Sequence, residues 1–149
     1  TGMAASGVSA GGTLAMNLAY GGNSAIPVRF VFELAAPTYF VAEDWGSLMK
    51  SDNLGSEEEF YRMMTGKELS AQEYRQEIKK ISPTCLVGED SVPTLIGYGL
   101  KDHCVPADQK EYLIDALEKN GVSYDYVEFP HSNHLLYGDL DNRTGNSIL

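Results

Sequence analysis

The sequence predicts an α/β fold, in which helices flank a mainly parallel β-sheet. Strand-like segments alternate with helical ones, which is the order expected of strand–helix–strand units. Segment 93–99 is apolar enough to be buried on both faces, as strands of parallel sheets are. A third observation is the glycine-rich turn 7–11, which joins a run of small residues to a good helix-forming segment.

Four segments have the composition of strands. The second is rich in β-branched and aromatic residues and ends before Pro37, and the fourth alternates polar with apolar residues up to Pro130. The predicted strands are 3–6, 28–34, 93–99 and 124–129.

Two helices are predicted between these strands. Segment 13–20 favours helix and is followed by Gly21 and Gly22, which are typical of a helix end. Segment 107–120 stops at Gly121 and has one apolar face at three-to-four spacing, formed by Tyr112, Leu113, Ala116 and Leu117.

Residues 41–82 interrupt the alternation and predict a helical insertion. Capping-box sequences begin at Ser56 and Ser70, with Gly66 between the two helices that they start. The apolar side chains of these helices are Phe60, Met63, Met64, Tyr74 and Ile78. The insertion is either a lid that shapes a substrate pocket or a connection that covers the sheet, and the sequence leaves both open.

Length and charge limit the classes of protein. The chain has 149 residues, which suits one domain, and a net charge of −10 from 11 basic and 21 acidic residues. We therefore expect neither nucleic acid nor an anionic membrane surface as a partner. No segment has the length of a membrane span. The oligomeric state is left open.

The two ends of the sequence predict a truncated domain. The chain starts at Thr1, directly before the first strand, and stops on the apolar residues Ile148 and Leu149. We expect residues 1–149 to form one domain that is cut at both ends. No signal peptide is visible and the cytoplasm is slightly favoured, although a missing N-terminus would take any leader with it.

The cysteines and histidines do not predict a metal centre. Cys85 and Cys104 lack metal-ligand spacing and are interpreted as two buried free thiols, with a disulfide as the alternative. Two of the three histidines lie three residues apart, but no cysteine or carboxylate pattern accompanies them. We expect neither a metal nor a cofactor.

The G-x-S-x-G sequence of residues 7–11 has the pattern of a nucleophile elbow. In such an elbow the serine, here Ser9, occupies a sharp turn that leaves room only for small residues two positions before and after it. The pattern alone is a weak signal, because glycine and serine are common. An acid and a histidine follow it in the order Ser, Asp, His, each just after a predicted strand.

Three motifs resemble those of the α/β-hydrolase esterases and lipases. Residues 7–12 look like their elbow, residues 93–106 resemble the strand and loop that carry their acid, and residues 129–134 resemble the loop that carries their histidine. Ser82-Pro83 also matches this group. The likeness covers nearly the whole chain and is closest to the carboxylesterase and acetyl-esterase branch related to prolyl oligopeptidases. It implies the C-terminal portion of an α/β-hydrolase fold.

The chemistry supports a base and an acid at particular positions. Ser9 needs a base to become nucleophilic, and we expect His134 to be that base, with His131 and then His103 as alternatives. The family pattern has a glycine directly before the histidine, where this chain has Asn133, and commonly another directly after it, where this chain has Leu135.

Asp102 would orient the histidine and stabilise its protonated form. Asp108 is the main competitor, but it is better placed as an acid in the first turn of a helix. Asp90 precedes its strand and would lie at the wrong edge of the sheet. The amide of Ala10 is expected to be one oxyanion donor, and no upstream HGGG-type run supplies the second.

The predicted function is hydrolysis of a small-molecule carboxylic ester through an acyl-enzyme formed on Ser9. A peptidase of the prolyl oligopeptidase type would share the same motifs. A non-catalytic interaction module with a hydrolase fold is the third possibility, although such proteins generally lose a triad residue.

Overall fold

The computed structural model describes residues 1–41, 45 and 56–139. Within these residues the sheet has four strands, all parallel, in the spatial order β1-β2-β3-β4. The strands are β1 (Met3–Val8), β2 (Val28–Leu34), β3 (Thr94–Gly99) and β4 (Tyr124–Phe129). The predicted parallel α/β sheet is therefore confirmed.

Two strand boundaries differ from the sequence prediction. β1 continues two residues beyond Ser6, because Gly7 and Val8 keep pairing with Glu33 and Leu34 of β2. β3 begins one residue later than predicted, since Pro93 has no N–H to donate to a ladder. Its carbonyl still accepts a 3.1 Å hydrogen bond from the Val31 amide.

Five helices lie among the described residues: α1 (Ala10–Tyr20), α2 (Glu57–Thr65), α3 (Ala71–Glu77), α4 (Pro83–Leu86) and α5 (Asp108–Lys119). α1 begins three residues earlier than predicted, directly after Ser9. α5 agrees with its prediction to within one residue at each end. None of the described helices combines the length and the apolar character that crossing a membrane requires.

Both predicted capping boxes are confirmed. The Ser56 hydroxyl accepts from the Glu59 amide at 3.3 Å, and the Glu59 carboxylate accepts from the Ser56 amide at 2.8 Å. Ser70 and Glu73 make the same reciprocal pair. Gly66 ends α2 with φ 70°, a conformation that suits glycine. Residues 42–44 and 46–55 of the predicted insertion lie outside the described residues.

The insertion contributes to the hydrophobic core. The ring of Tyr74 stacks on Tyr61 at 4.0 Å, and its hydroxyl donates a 2.6 Å hydrogen bond to the Phe40 carbonyl. Phe60 is also buried, whereas Met63 is 55% exposed. The insertion thus packs on the segment that follows β2, which is compatible with both a lid and a connection.

The prediction of two buried thiols is wrong. Cys85 and Cys104 are free and both are exposed. Cys85 lies in the four-residue helix α4, and Cys104 lies in the loop after β3. No other described element covers either side chain, so the apolar character of cysteine does not predict burial at these positions.

A fully buried carboxyl group lies in β2, the strand that pairs with β1. Glu33 has no exposed surface, and its Oε2 accepts from the Ala36 amide at 2.9 Å, while Oε1 has no hydrogen-bond partner among the described residues. Desolvation raises the pKa of Glu33 well above its ordinary value, against the opposing effect of backbone hydrogen bonds from Ala36 and Gly97. The folded protein therefore keeps this proton over a pH range in which the unfolded chain has lost it.

We expect Glu33→Gln to stabilise the fold at neutral pH. Above about pH 4.5, the ordinary value, the unfolded chain loses this proton while the folded chain keeps it, so the wild-type free energy of unfolding falls as pH rises. Glutamine has nearly the same shape and cannot ionise. The stability difference between variant and wild type should grow by up to about 1.4 kcal/mol per pH unit above that value, until the pH passes the raised pKa of the folded state.

Urea unfolding at a series of pH values measures this difference, and Glu89→Gln is the exposed control. If the free energy of unfolding depends on pH in the same way in Glu33→Gln and in the wild type, the Glu33 side chain ionises in the folded state as it does in the unfolded one.

Candidate active site

Three polar residues follow the carboxyl ends of parallel strands. Ser9 comes directly after β1, Asp102 lies in the loop after β3, and His134 lies in the loop after β4. Because all strands point the same way, these loops leave from the same edge of the sheet. That edge is where parallel α/β folds bind their ligands.

Ser9 lies on a strained turn between β1 and α1. Its backbone has φ 54° and ψ −129°, which a residue with a side chain rarely adopts. The Ser9 amide donates to the Leu34 carbonyl at 2.8 Å, and the Ser9 carbonyl accepts from the Gly12 amide at 2.9 Å. The strand ladder and the first helical turn therefore hold the serine on opposite sides.

The two outer glycines of the turn at Ser9 have different roles. A Cβ at Gly7 would overlap the backbone carbonyl of Gly11, so the tight turn excludes any side chain there. A Cβ at Gly11 would meet no atom within 4 Å among the described residues. The expectation that both positions exclude bulk is therefore right for Gly7 and wrong for Gly11, where only the backbone makes the close approach.

Ala10 is the first residue of α1. The first amides of a helix have no carbonyl partner within the helix, and they carry the positive end of its dipole. The Ala10 amide follows Ser9 directly, so it lies where negative charge would develop on a group bound to the serine. This position suits the predicted oxyanion donor.

The Asp102 carboxylate is held by three hydrogen bonds. Its Oδ1 accepts from the backbone amides of Cys104 at 2.7 Å and Val105 at 3.0 Å. Its Oδ2 lies 2.8 Å from Nδ1 of His134. The side chain is only 4% exposed, so two amides fix one oxygen while the other faces the imidazole.

The alternative acids lie elsewhere. Asp108 is the first residue of α5, where its charge faces the helix N-terminus, and Asp90 is exposed before β3. Of the three predicted candidates, Asp102 alone contacts a histidine through a described hydrogen bond or ion pair.

The loop that carries His134 is bonded to the loop that carries Asp102. The Leu100 amide donates to the Phe129 carbonyl at 3.0 Å, and the Lys101 amide donates to the Ser132 carbonyl at 2.9 Å. His134 is 16% exposed in its side chain, whereas His131 and His103 are exposed. The two loops thus form one unit that brings this imidazole to the Asp102 carboxylate.

Ser132 and Asp139 close the loop that carries His134, and no sequence pattern indicated this pair. The buried Ser132 hydroxyl donates to Asp139 Oδ2 at 2.8 Å and accepts from the Asp139 amide at 3.0 Å. The His131 amide donates to the same carboxylate oxygen at 2.7 Å. Desolvation alone would raise the pKa of Asp139, but the hydrogen bonds from Ser132 and His131 outweigh it and lower the pKa.

Asn133 caps the turn that contains His134. Its side-chain oxygen accepts from the amides of Leu135 at 3.0 Å and Tyr137 at 3.3 Å. Leu136 takes a positive φ of 59° in the same turn. Asparagine is well suited to such a turn because its side chain can satisfy nearby backbone amides. The departure of this chain from a glycine at position 133 thus has a structural role.

Ser9 is not hydrogen-bonded to His134 in the structure. Among the described residues the Ser9 hydroxyl makes no hydrogen bond. Hydrogen bonds of catalytic groups are often long before substrate binds and shorten in the complex. The structure therefore joins the acid to the histidine and brings both to the serine's edge of the sheet.

A possible metal-ligand cluster overlaps this pair. Asp102, Cys104 and His134 each offer one ligand atom, and these atoms lie within 4.8 Å of one another. The sequence did not indicate this cluster, because the ligands come from two loops that are distant along the chain.

The four-stranded sheet and its helices match part of the α/β-hydrolase fold. Residues 1–146 match the prolyl oligopeptidase family, so the chain belongs to this family. None of the curated proteins matches the sequence.

Solved structures of esterases and peptidases are similar in fold. A truncated carbohydrate esterase from gut microbiota aligns with 96% of this chain and 55% of its own, at 19% identity and a TM-score of 0.69. The propionate-bound esterase Est2 of Thermogutta terrifontis aligns over 97% and 51%, at 22% identity and a TM-score of 0.64. Acylaminoacyl peptidase of Pyrococcus horikoshii aligns over 88% and 19%, at 17% identity and a TM-score of 0.62. The chain spans about half the length of the two esterases.

Gly7 and Gly11 provide a matched test of the turn at Ser9. Gly7→Ala is expected to lower the free energy of unfolding by about 1–3 kcal/mol, because its methyl group must displace backbone. Gly11→Ala adds a methyl group in open space within α1, and should change stability by less than about 1 kcal/mol. Urea unfolding of both variants measures the difference. Equal losses in the two variants would contradict the described packing of the elbow.

Proposed function

We propose that this chain carries the catalytic triad of a serine hydrolase that cleaves carboxylic esters. Ser9 is the nucleophile, His134 the general base, and Asp102 the residue that orients the base. The observation that carries the proposal is the 2.8 Å contact between Asp102 and His134 at the sheet edge where the strained Ser9 turn lies. The family to which the chain belongs supports the same chemistry.

Acylation begins when the Ser9 oxygen attacks the ester carbonyl carbon. The hydroxyl proton moves to Nε2 of His134, whose Nδ1–H faces the Asp102 carboxylate. The carbonyl oxygen becomes an oxyanion, and the Ala10 amide donates to it. The intermediate collapses when His134 returns its proton to the leaving alcohol, which leaves the acyl group on Ser9.

Deacylation repeats these steps with water as the nucleophile. His134 takes a proton from the water that attacks the acyl carbon, and it then protonates the Ser9 oxygen as the acid leaves. Asp102 stays ionised throughout and stabilises the imidazolium.

A peptidase is the second candidate, and the name of the matching family favours it. Ester and amide substrates with the same acyl group discriminate between an esterase and a peptidase. Both kinds of enzyme use the triad, but only a peptidase needs to expel an amine efficiently. A ratio of kcat/KM for ester over amide well above that of known peptidases supports the esterase.

Mutation of the three residues in the full-length protein tests the proposal. Ser9→Ala is expected to lower kcat for an activated acetyl ester by about 10^4-fold or more. His134→Ala should lose nearly as much, and the double variant little more, because the two groups act as one unit.

His131→Ala is the matched control, since this second histidine of the same loop uses its backbone amide rather than its ring in the described contacts. It should remain within about tenfold of the wild type, equivalent to about 1.4 kcal/mol. A larger loss in His131→Ala than in His134→Ala would show that His131 is the base and that the assignment of His134 is wrong.

A further inference from the structure

We propose that Asp102, Cys104 and His134 form an inhibitory site for a soft divalent cation of the Zn²⁺ type. The cation would bind in place of the hydrogen bond between acid and base, and so stop hydrolysis. The binding part of this inference rests on the cluster itself, and the inhibition part rests on the proposed function.

The three ligand atoms are already close together. They lie within 4.8 Å of one another, and the nitrogen and oxygen of the acid–base pair are 2.8 Å apart. In a tetrahedral zinc site with ordinary bond lengths, ligand atoms are about 3.3–3.6 Å apart. The pair must therefore open slightly and the thiol must move inward, which needs side-chain rotation rather than a change of fold.

Backbone contacts prepare the site on one side. The amides of Cys104 and Val105 fix one oxygen of Asp102, so the other oxygen keeps its direction when its partner changes. Such contacts orient metal ligands in other zinc sites. Cys104 is exposed, so its thiol can rotate and a cation can reach it from solvent.

The ligand set favours zinc over calcium or magnesium. A thiolate and an imidazole suit a borderline-soft cation, whereas the hard cations prefer oxygen ligands alone. Three protein ligands leave a fourth position for water. The net charge of −10 also favours approach of a cation from solution.

Metal binding would remove the base by changing its tautomer. The imidazole nitrogen that faces the carboxylate is Nδ1, and the cation would bind its lone pair there. A neutral imidazole bound through Nδ1 carries its proton on Nε2, and Nε2 then donates a hydrogen bond instead of accepting the Ser9 proton. The thiol releases its proton to solvent as the metal–thiolate bond forms.

This site does not conflict with the expectation that the reaction needs no metal. The cation would act as an inhibitor that competes with the acid–base contact, and its removal by a chelator would restore activity. It would also link hydrolysis to the free concentration of a thiol-binding metal.

The test uses the full-length protein and two probes, Zn²⁺ for inhibition and Co²⁺ for direct binding. Cobalt bound to a thiolate has a charge-transfer absorption band, which reports binding without any need for activity. Cys104→Ser should lose this band. Its Zn²⁺ concentration for half-inhibition, measured against the variant's own activity without metal, should be about tenfold or more above that of the wild type. Cys85→Ser, the other exposed cysteine, should behave as the wild type.

Ser9→Ala separates the two parts of the inference, because it should abolish hydrolysis and keep the cobalt band. A Cys104-dependent band in a wild-type protein without esterase activity would support the metal site and refute the proposed function. A band that survives in Cys104→Ser, or that disappears in Cys85→Ser, would overturn the metal site. Zinc inhibition that is unchanged in Cys104→Ser would overturn it as well.

Discussion

The common direction of the four strands is the constraint on which the rest of the structure depends. Parallel pairing places the ends of β1, β3 and β4 at one edge of the sheet, so residues that are distant along the chain become neighbours. Helices α1 and α5 make two of the connections that return the chain to the opposite edge. The strand topology alone thus determines the location of the candidate site.

Two local features shape the candidate site at that edge. The turn at Ser9 is strained, and the ladder to Leu34 and the first turn of α1 hold it in place. The segments after β3 and β4 are joined through backbone hydrogen bonds, which connect the loop of Asp102 to the loop of His134. The Asp102 carboxylate lies at the junction of these loops, with amides on one oxygen and the imidazole on the other.

The sequence predicts the features that depend on local patterns. Strand β2 and the two capping boxes each depend on a few adjacent residues, and all of them occur as expected. The contact between Ser132 and Asp139 was not predictable, because it depends on the folded path of a loop in which Leu136 has a positive φ. The exposure of both cysteines and the burial of Glu33 likewise depend on which elements cover them, and residue type does not determine that.

Trapping of the acyl-enzyme tests the central claim most directly. The full-length protein is mixed with an activated ester, quenched in acid within one turnover, digested and analysed by mass spectrometry. The account predicts an acyl group on the peptide that contains Ser9, with no such adduct in Ser9→Ala and little in His134→Ala. Ester hydrolysis without an adduct on that peptide, or an adduct on another residue that accounts for turnover, would contradict the assignment of Ser9 as the nucleophile.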